Sequence, residues 1–433
     1  MNSKAKNVDQ PAILGGKPLF EEPYHLVRPL LPTISEFVSE LEDLYESRYI
    51  TNQGKNVITL EKKIASKLGV KHCALFCNGT IAIMSLIRAL DLSGEVVVPS
   101  FTFAATVQSL IWERIQPKFI DIKRDTLTLD VDKLEECITE KTSAIFPVNI
   151  FGKCCEHDKI REIAEKHRLP LIYDSAQAFG TTYKGRMVGS LGDAEVFSFH
   201  ATKTFHTGEG GAVVTDNTEL YEKLCRIRNF GFDSYLNCLD IGLNGKMNEF
   251  SGLIGLSLWD KVPEQISHCK WIFKQYKESL GKIPGITCPN ENPEYVSNYS
   301  YFYVIIDPDE MGLSNIELNY ALMAEFIVTR CYFYPPVHRT TYYQKLFGNN
   351  IPELPETDWA ALHVLCLPAH PDMRVGDLAR IVNGINRCHL NAKNIKQYLR
   401  NRIPKNWDAL ATKPSFDPHD KYIRTGQAKN KPK

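Results

Sequence analysis

The polar side chains best placed to do chemistry lie between residues 169 and 215. The run Leu171-Ile172-Tyr173 is typical of a buried strand and delivers Asp174 at its carboxyl end, the usual position of a working side chain in a parallel sheet. Gln177 follows one helical turn later, and Lys203 follows a second predicted strand. Alone, Asp174 is equally typical of a helix N-cap, and a single lysine is usually a surface residue. An acid, an amide and an amine placed together at strand ends predict a reactive site.

Pyridoxal phosphate is a cofactor that uses this combination of groups. It is held by a lysine amine as a Schiff base, by a carboxylate at its pyridine nitrogen, and by hydroxyl or backbone donors at its phosphate. The carboxylate keeps that nitrogen protonated, so the ring accepts the electron pair released when a Cα–H bond breaks. Gly79 and Thr80 open a predicted helix directly after a strand, where free N–H groups and the helix dipole attract an anion. An ordinary threonine near a helix start is the alternative interpretation of Thr80.

Seven short apolar or β-branched runs predict the strands that would position these groups. Longer segments with helical periodicity separate them, which is typical of a largely parallel sheet with helices on both faces. The helices at Leu60–Leu68 and Asp158–His167 are among the clearest. We therefore predict a large α/β domain. The predicted strands are Cys73–Phe76, Glu95–Val98, Lys118–Ile122, Ser143–Val148, Leu169–Asp174, Glu195–Phe199 and Gly211–Thr215.

The pattern changes after residue 258, which predicts a second, smaller domain. A long helical stretch from 262 to 282 leads to mixed strands and helices, and Tyr301–Ile306 alternates like an antiparallel strand. Residues 395–433 carry ten Lys or Arg against three Asp or Glu and are predicted to be a solvated extension rather than a binding arm. The predicted division is an N-terminal arm at 1–30, a large domain at 31–261, a small α+β domain at 262–394 and a basic tail at 395–433.

The overall composition favours a protein that acts on small molecules. Of its 433 residues, 51 are Lys or Arg and 51 are Asp or Glu, so net charge gives no reason to expect nucleic acid or an anionic membrane as a partner. No apolar stretch is long enough for a signal peptide or a membrane span, which predicts a cytoplasmic protein. The twelve cysteines lie mostly in apolar runs and are interpreted as reduced core residues. Cys154-Cys155-Glu156-His157 lacks a second ligand pair at zinc spacing, so no metal site is predicted.

Six motifs in order along residues 30–390 resemble those of the DegT/DnrJ/EryC/StrS sugar aminotransferases, which are fold type I pyridoxal-phosphate enzymes. Each motif alone is weak, whereas the set in the family's order is specific. The resemblance implies a mostly parallel seven-stranded sheet in the large domain and a smaller α+β C-terminal domain. The six motifs are Asn78-Gly79-Thr80, Val98–Thr106, Asp174–Ala178, Gly189–Asp193, Phe197–Lys203 and Gly208–Gly211.

The resemblance assigns a role to each matching residue. It implies that Lys203 forms the Schiff base and later acts as general base and acid, and that Asp174 pairs with the pyridine nitrogen. Gln177 would contact the ring hydroxyl, and Phe103 would stack on the ring. The phosphate would be held by Gly79, Thr80 and Ser198.

Three further positions follow from the same resemblance. Asn244, in the run Gly242–Glu249, matches a residue that reaches the cofactor phosphate of the neighbouring subunit, which implies a homodimer with shared sites. Without the resemblance, Asn244 would be a loop residue beside glycines. His338 follows an aromatic segment that the family places near the sugar, and it is a candidate for substrate contact. Asn149 stands where the family commonly has His, which leaves the contribution of that side chain open.

The reaction implied is transfer of an amino group from an amino acid, by family habit L-glutamate, to a keto group of a nucleotide-linked deoxysugar. The motifs around Lys203 and Asn244 are most similar to those of enzymes that make dTDP-4-amino-4,6-dideoxyglucose, which implies dTDP-4-keto-6-deoxyglucose as substrate. A 3-keto sugar nucleotide is the nearest alternative, and an amino-cyclitol precursor is more distant. Related sugar dehydratases replace the lysine by histidine, which Lys203 argues against. A cofactor-binding regulator without activity would need a helix-turn-helix or a concentrated basic face, and only the short tail is basic.

Overall fold

The structure, a computed structural model, describes residues 10–400, 402 and 403 of the chain. Helices and strands alternate up to about residue 258 and are mixed after it. The helices are α1 (Ile34–Ser47), α2 (Lys55–Leu68), α3 (Gly79–Ala89), α4 (Ala104–Trp112), α5 (Leu134–Cys137), α6 (His157–His167), α7 (Thr218–Ile227), α8 (Glu249–Leu258), α9 (Val262–Leu280), α10 (Pro308–Met311), α11 (Asn315–Ala324), α12 (Thr341–Phe347), α13 (Pro355–His363), α14 (Val375–Leu390) and α15 (Ala392–Leu399). The strands are β1 (His72–Phe76), β2 (Glu95–Pro99), β3 (Gln116–Ile120), β4 (Thr142–Ile145), β5 (Ile172–Asp174), β6 (Thr182–Tyr183), β7 (Arg186–Met187), β8 (Ala194–Ser198), β9 (Gly211–Thr215), β10 (Ile286–Thr287), β11 (Tyr295–Val296), β12 (Phe302–Ile306) and β13 (Val364–Leu367).

Among the described residues, seven strands form the mostly parallel sheet of the large domain, which confirms the predicted fold class. The strand groups β1-β9-β8-β5 and β3-β2-β4 are joined by parallel bridges from Ile145 to Leu171 and from Val148 to Asp174. β9 is antiparallel to both of its neighbours, and the other neighbouring pairs are parallel. Each of the seven predicted strands overlaps one of these observed strands.

Apolar side chains of the strands pack into two cores, one on each face of this sheet. In β2, Val97 belongs to one core and Val96 and Val98 belong to the other, and all three are fully buried. Strands covered on both faces require continuous apolar runs, which is why they are visible in the sequence. Helices α2 and α6 cover one face, and α3, α4 and α7 cover the other. The carboxyl ends of the parallel strands remain at one edge, where polar residues can be presented.

A further core surrounds the antiparallel sheet β10-β12-β13 of the small domain. β12 accounts for most of the predicted antiparallel strand at 301–306. Helices α9 and α11 pack on this sheet through residues such as Tyr276 and Leu322. Ile13 and Phe20, within the predicted N-terminal arm, belong to the same core. The arm is therefore packed against the small domain at these two positions.

The end of the small domain differs from the predicted start of the basic tail at 395. Helix α15 crosses this position, and Ile395 and Leu399 are buried in the small-domain core. A spacing of four residues puts both side chains on one face of the helix, so these residues pack despite the lysine at 396 between them. The predicted tail from residue 404 onwards lies outside the described residues, and the division into domains stays a prediction. None of the described helices combines the length and the apolar character needed to cross a membrane.

Candidate active site

Strand β1 leads directly into helix α3, and the first turn of that helix has unused donors. Asn78 caps the helix, because its Oδ1 accepts a hydrogen bond from the Ile81 N–H at 2.9 Å and its carbonyl accepts the first helical bond from Ala82. The N–H groups of Gly79 and Thr80 therefore have no intrahelical partner and lie at the positive end of the helix dipole. This arrangement can bind an anion.

Ser198, at the carboxyl end of β8, lies against this helix start. A Cβ atom at Gly79 would come within 3.1 Å of the Ser198 Cβ and 3.4 Å of its Oγ. Gly211 of β9 is equally close, since a Cβ there would lie 2.6 Å from the Gly79 nitrogen. A side chain at Gly211 would push the start of the helix away from β9, and one at Gly79 would press against Ser198. The structure thus brings Gly79, Thr80 and Ser198 into one small region.

Asp174 ends β5, and its carboxylate is buried within a set of donors. Oδ2 accepts a hydrogen bond from Thr106 Oγ1 at 2.6 Å, and Oδ1 accepts one from the Ala176 N–H at 3.0 Å. Thr106 uses its single hydroxyl proton in this bond, so Thr102 is the donor in the 2.8 Å contact between the two threonine hydroxyls. Burial raises the pKa of Asp174, and the bonds from Thr106 and Ala176 and the charge of Lys203 oppose that rise.

Lys203 connects the large domain to Tyr301 of the small domain. Lys203 Nζ donates a hydrogen bond to the Tyr301 hydroxyl at 3.1 Å and lies 5.4 Å from the centre of the tyrosine ring. The charge of Lys203 also lowers the pKa of Asp174, so the two predicted catalytic residues interact electrostatically. The sequence alone does not single out Tyr301, because tyrosines also stand at 299 and 303 of the same run. Only the packing of β12 against the large domain shows which tyrosine meets the lysine.

Gln177 has one end of its side-chain amide fixed. Its Oε1 accepts a hydrogen bond from the Phe151 N–H at 2.7 Å, which leaves the NH₂ group to donate to a ligand. The backbone carbonyl of Gln177 accepts a bond from Asn298 Nδ2 at 2.9 Å. The turn after Asp174 is thereby tied to the segment that carries Tyr301. The contact of Gln177 with the hydroxyl of the cofactor ring stays a prediction. The NH₂ group that remains available is a hydrogen-bond donor, as that contact requires.

Three of the predicted site residues, Thr80, Phe103 and Asn244, are exposed in the single chain. Phe103 is the N-cap residue of α4 and is 61% exposed. Asn244 is exposed in a loop whose backbone is tied to the rest of the chain through its neighbour Gly245, which bonds to Arg228 and Cys77. Within the described part of the chain, the Asn244 side chain makes no hydrogen bond. A stacking role for Phe103 and a role for Asn244 in a neighbouring subunit therefore stay predictions.

His338 does not line the site, and its predicted contact with substrate is not supported. The side chain is fully buried, with Nδ1 2.7 Å from Ser100 Oγ, which also accepts a hydrogen bond from the His338 N–H at 3.0 Å. Nε2 lies 3.2 Å from Asp358 Oδ1, an electrostatic contact without good hydrogen-bond geometry. The short turn Val337–Arg339 follows the aromatic segment and directs the ring into the large-domain core, against Phe119.

Asn149 belongs to a buried polar chain beside Asp174. Its Nδ2 donates to Ser175 Oγ at 2.9 Å, and its Oδ1 accepts a hydrogen bond from the Cys155 N–H at 3.1 Å. Ser175 in turn donates to Glu195 Oε2 at 2.6 Å, and burial raises the pKa of this glutamate. The asparagine thus satisfies neighbouring polar groups where the chain leaves β4 and β5, and the polar chain ends at Glu195 near the start of β8. This gives Asn149 a structural role.

Comparison with known proteins identifies this arrangement. The sequence profile of the DegT/DnrJ/EryC1/StrS aminotransferase family matches residues 33–386, which include Lys203, Asp174 and the start of α3. The chain belongs to this family. Because these aminotransferases depend on pyridoxal phosphate, the chain is a pyridoxal-phosphate-dependent sugar aminotransferase with the fold type I architecture predicted from its motifs.

Relatives match almost over their whole length. The dTDP-4-amino-4,6-dideoxy-D-glucose transaminase of Shigella dysenteriae is 37% identical over 365 residues, which cover 84% of this chain and 99% of the relative. The Escherichia coli transaminase of the same name is 35% identical over 351 residues, covering 80% and 94%. The crystal structure of DesI, determined in the presence of its TDP-sugar product, has a TM-score of 0.86 and 35% identity, covering 91% of this chain and 100% of DesI.

Proposed function

We propose that this aminotransferase moves an amino group from L-glutamate to C4 of dTDP-4-keto-6-deoxyglucose, forming dTDP-4-amino-4,6-dideoxyglucose. The observation that carries the proposal is that the charge of Lys203 acts on the buried Asp174, while the open start of α3 lies against Ser198, at the end of the strand that pairs with β5. The substrate is supported by relatives at 37% and 35% identity that are named as the corresponding transaminase. L-glutamate is the amino donor by family habit.

The residues present fit pyridoxal phosphate. The free N–H groups of Gly79 and Thr80, beside the Ser198 hydroxyl, suit a phosphate, and a side chain at Gly79 would crowd that space. The buried carboxylate of Asp174 suits a protonated pyridine nitrogen. The free NH₂ of Gln177 suits the ring oxygen. We assign these residues to holding the cofactor, with Phe103 stacked on its ring and Lys203 attached to it.

The mechanism assigns one task to each polar group of this chain. When bound, the cofactor supplies an electron sink for the bond-breaking step. Asp174 keeps the pyridine nitrogen protonated, because a buried carboxylate interacts strongly with a cationic partner. Lys203 Nζ would act as the general base that takes the proton from the donor Cα, and then as the general acid that gives it up again. The Tyr301 hydroxyl accepts a hydrogen bond from Lys203 Nζ and so holds the amine in place.

We further propose that the functional unit is a homodimer with two shared sites. Large apolar side chains are exposed on the single chain in two places, helix α1 and the loop 228–245, and exposed apolar patches of this kind mark protein interfaces. Asn244 lies in this loop, so a second copy that covers the loop would receive its side chain. The exposed apolar residues of these two places include Ile34, Val38, Tyr45, Phe230, Tyr235, Leu236, Leu239 and Ile241.

Mixing two inactive variants tests the shared site. Lys203→Ala and Asn244→Ala chains, co-expressed with different tags, are expected to regain roughly a quarter of the wild-type activity, since half of the dimers are mixed and each mixed dimer has one intact site. Each variant alone provides the baseline. Folded mixed dimers without recovered activity, or a monomer active at all dilutions, would contradict the shared site.

The substrate is tested by product analysis. The enzyme is incubated with L-glutamate and, separately, with dTDP-4-keto-6-deoxyglucose, a dTDP-3-keto-6-deoxysugar and an amino-cyclitol precursor, and the new C–N bond is located by NMR. We expect amination of the first compound at C4. Amination at C3, or turnover only with the substrate that lacks a nucleotide, would overturn the substrate assignment while leaving the aminotransferase itself standing.

Removal of the Tyr301 hydroxyl is expected to slow the reaction while the ring keeps its packing. Tyr301→Phe loses the acceptor that positions Lys203 Nζ. Because this hydrogen bond involves a charged group, its loss is expected to lower kcat by about tenfold. Tyr303→Phe in the same run is the matched control and should retain wild-type kcat. The pH titration of the cofactor absorbance should shift for Tyr301→Phe alone. Equal kcat and equal titrations for both variants would show that Tyr301 does not position the lysine.

A further inference from the structure

A large cavity lies between helix α9 and the segment 289–303, next to Phe151 and Lys153 of the large domain. Its volume is about 940 Å³, within the range of cavities that bind organic ligands of nucleotide size. Tyr301 forms part of its wall, and the same tyrosine accepts the hydrogen bond from Lys203. The cavity therefore shares part of its wall with the proposed active site.

Four lysines line this cavity, and none of them forms an ion pair within the described residues. Lys270, Lys274 and Lys277 follow one face of α9 at spacings of four and three residues, so that their like charges repel one another. Lys153 adds a fourth ammonium from the large domain. The acidic residue of the lining is Glu291, whose carboxylate lies 3.4 Å from the hydroxyl of a tyrosine. The cavity thus has a clear excess of positive charge.

Lys153 is the buried member of this group, with 7% of its surface exposed. Its Nζ donates a hydrogen bond to the Thr126 carbonyl at 2.9 Å and lies 4.9 Å from the centre of the Tyr303 ring. Burial lowers the pKa of Lys153 to about 7, and the charge of Asp125 opposes this only in part. A buried ammonium with neutral partners is unfavourable, so an anion in the cavity would stabilise its charged form.

Aromatic rings make up much of the remaining wall. Trp271 and Phe273 come from α9, and Tyr295 and Tyr299 come from the segment that follows it. Rings of this kind stack on heteroaromatic bases, while lysines hold the phosphates of the same ligand. The wall therefore offers both halves of a nucleotide-binding surface.

We propose that this cavity binds a nucleoside diphosphate or triphosphate, with its phosphates on Lys153 and the lysines of α9 and its base against the aromatic wall. Such a ligand has two sources, a free nucleotide or the nucleotide part of a sugar substrate, and the second source rests on the proposed function. A ligand from either source contacts Tyr301 and through it the position of Lys203.

The test is calorimetric binding of dTDP, ATP and inorganic pyrophosphate to the purified holoenzyme. The exposed lysines of α9 are substituted in this test, because replacing the buried Lys153 also perturbs folding. Lys270→Gln/Lys274→Gln is expected to weaken binding of dTDP or ATP by about tenfold or more. Lys282→Gln, which removes the charge of an exposed lysine outside the cavity, is the control and should bind as the wild type does.

Kinetics then separates the two sources. An unchanged KM for the sugar nucleotide in the double variant identifies a free nucleotide, and a KM raised in parallel with the weaker binding identifies the substrate's own nucleotide. Equal nucleotide affinity in the wild type and the double variant, or equal affinity of the wild type for pyrophosphate and dTDP, would overturn the proposal. The calorimetry needs no turnover. Nucleotide binding to the cavity can therefore be tested even if the protein is inactive on every keto-sugar and the proposed function fails.

Discussion

The Lys203→Ala variant is expected to lose turnover by at least about 10³-fold. In the wild-type chain this amine is held by Tyr301 and its charge acts on Asp174. Without it the cofactor has no covalent attachment, and no group moves the proton at the donor Cα. The purified variant is also expected to lack the near-visible absorbance band of the covalently held cofactor. Transamination rates and absorbance spectra of the purified proteins measure both effects.

A second lysine variant separates this effect from a general loss of charge. Lys71 is exposed just before β1, so Lys71→Ala should keep both the activity and the absorbance band. Far-ultraviolet circular dichroism of both variants checks that the fold is retained. Wild-type turnover in Lys203→Ala would exclude the proposed mechanism.

The Asp174→Asn variant is expected to lose turnover by about 10²- to 10³-fold while it retains part of the cofactor. Asparagine has nearly the same shape, and both hydrogen bonds can reverse: Thr106 Oγ1 then accepts from the amide, and Thr102 Oγ1 accepts from Thr106. The local fold is therefore kept. A neutral amide, however, cannot hold the pyridine nitrogen protonated, so the electron sink is lost. The kcat and the cofactor content of the purified variant are the two measurements.

The hydrogen bond from Thr106 provides a pH-dependent companion to this prediction. It lowers the pKa of Asp174 against the effect of burial, so Thr106→Val should raise that pKa further. Asp174 acts as the carboxylate, which means that activity is present above its pKa and is lost as the pH falls through it. The acid limb of the pH–rate profile is therefore expected to move to higher pH in Thr106→Val. Thr106→Ser keeps the donor and should leave that limb in place; a common profile for both variants would show that this bond does not control the ionisation.

Much of the large domain follows from local sequence patterns. Its strands are buried on both faces, as Val96, Val97 and Val98 show, and this burial demands continuous apolar runs that are visible without any structure. Residues at the ends of those runs share one edge of a parallel sheet, so Asp174 and Lys203 could be predicted as one site. The ordered motifs then identified the family and its cofactor.

Contacts between segments far apart in the chain were decided only by the tertiary structure. Tyr301 meets Lys203 across 98 positions, and Ser100 meets His338 across 238. Such pairs depend on how the small-domain core docks on the large one, and local periodicity carries no information about that docking. For this reason the sequence could propose His338 at the site and pass over Tyr301, whereas the packed structure buries the histidine and places the tyrosine against the lysine.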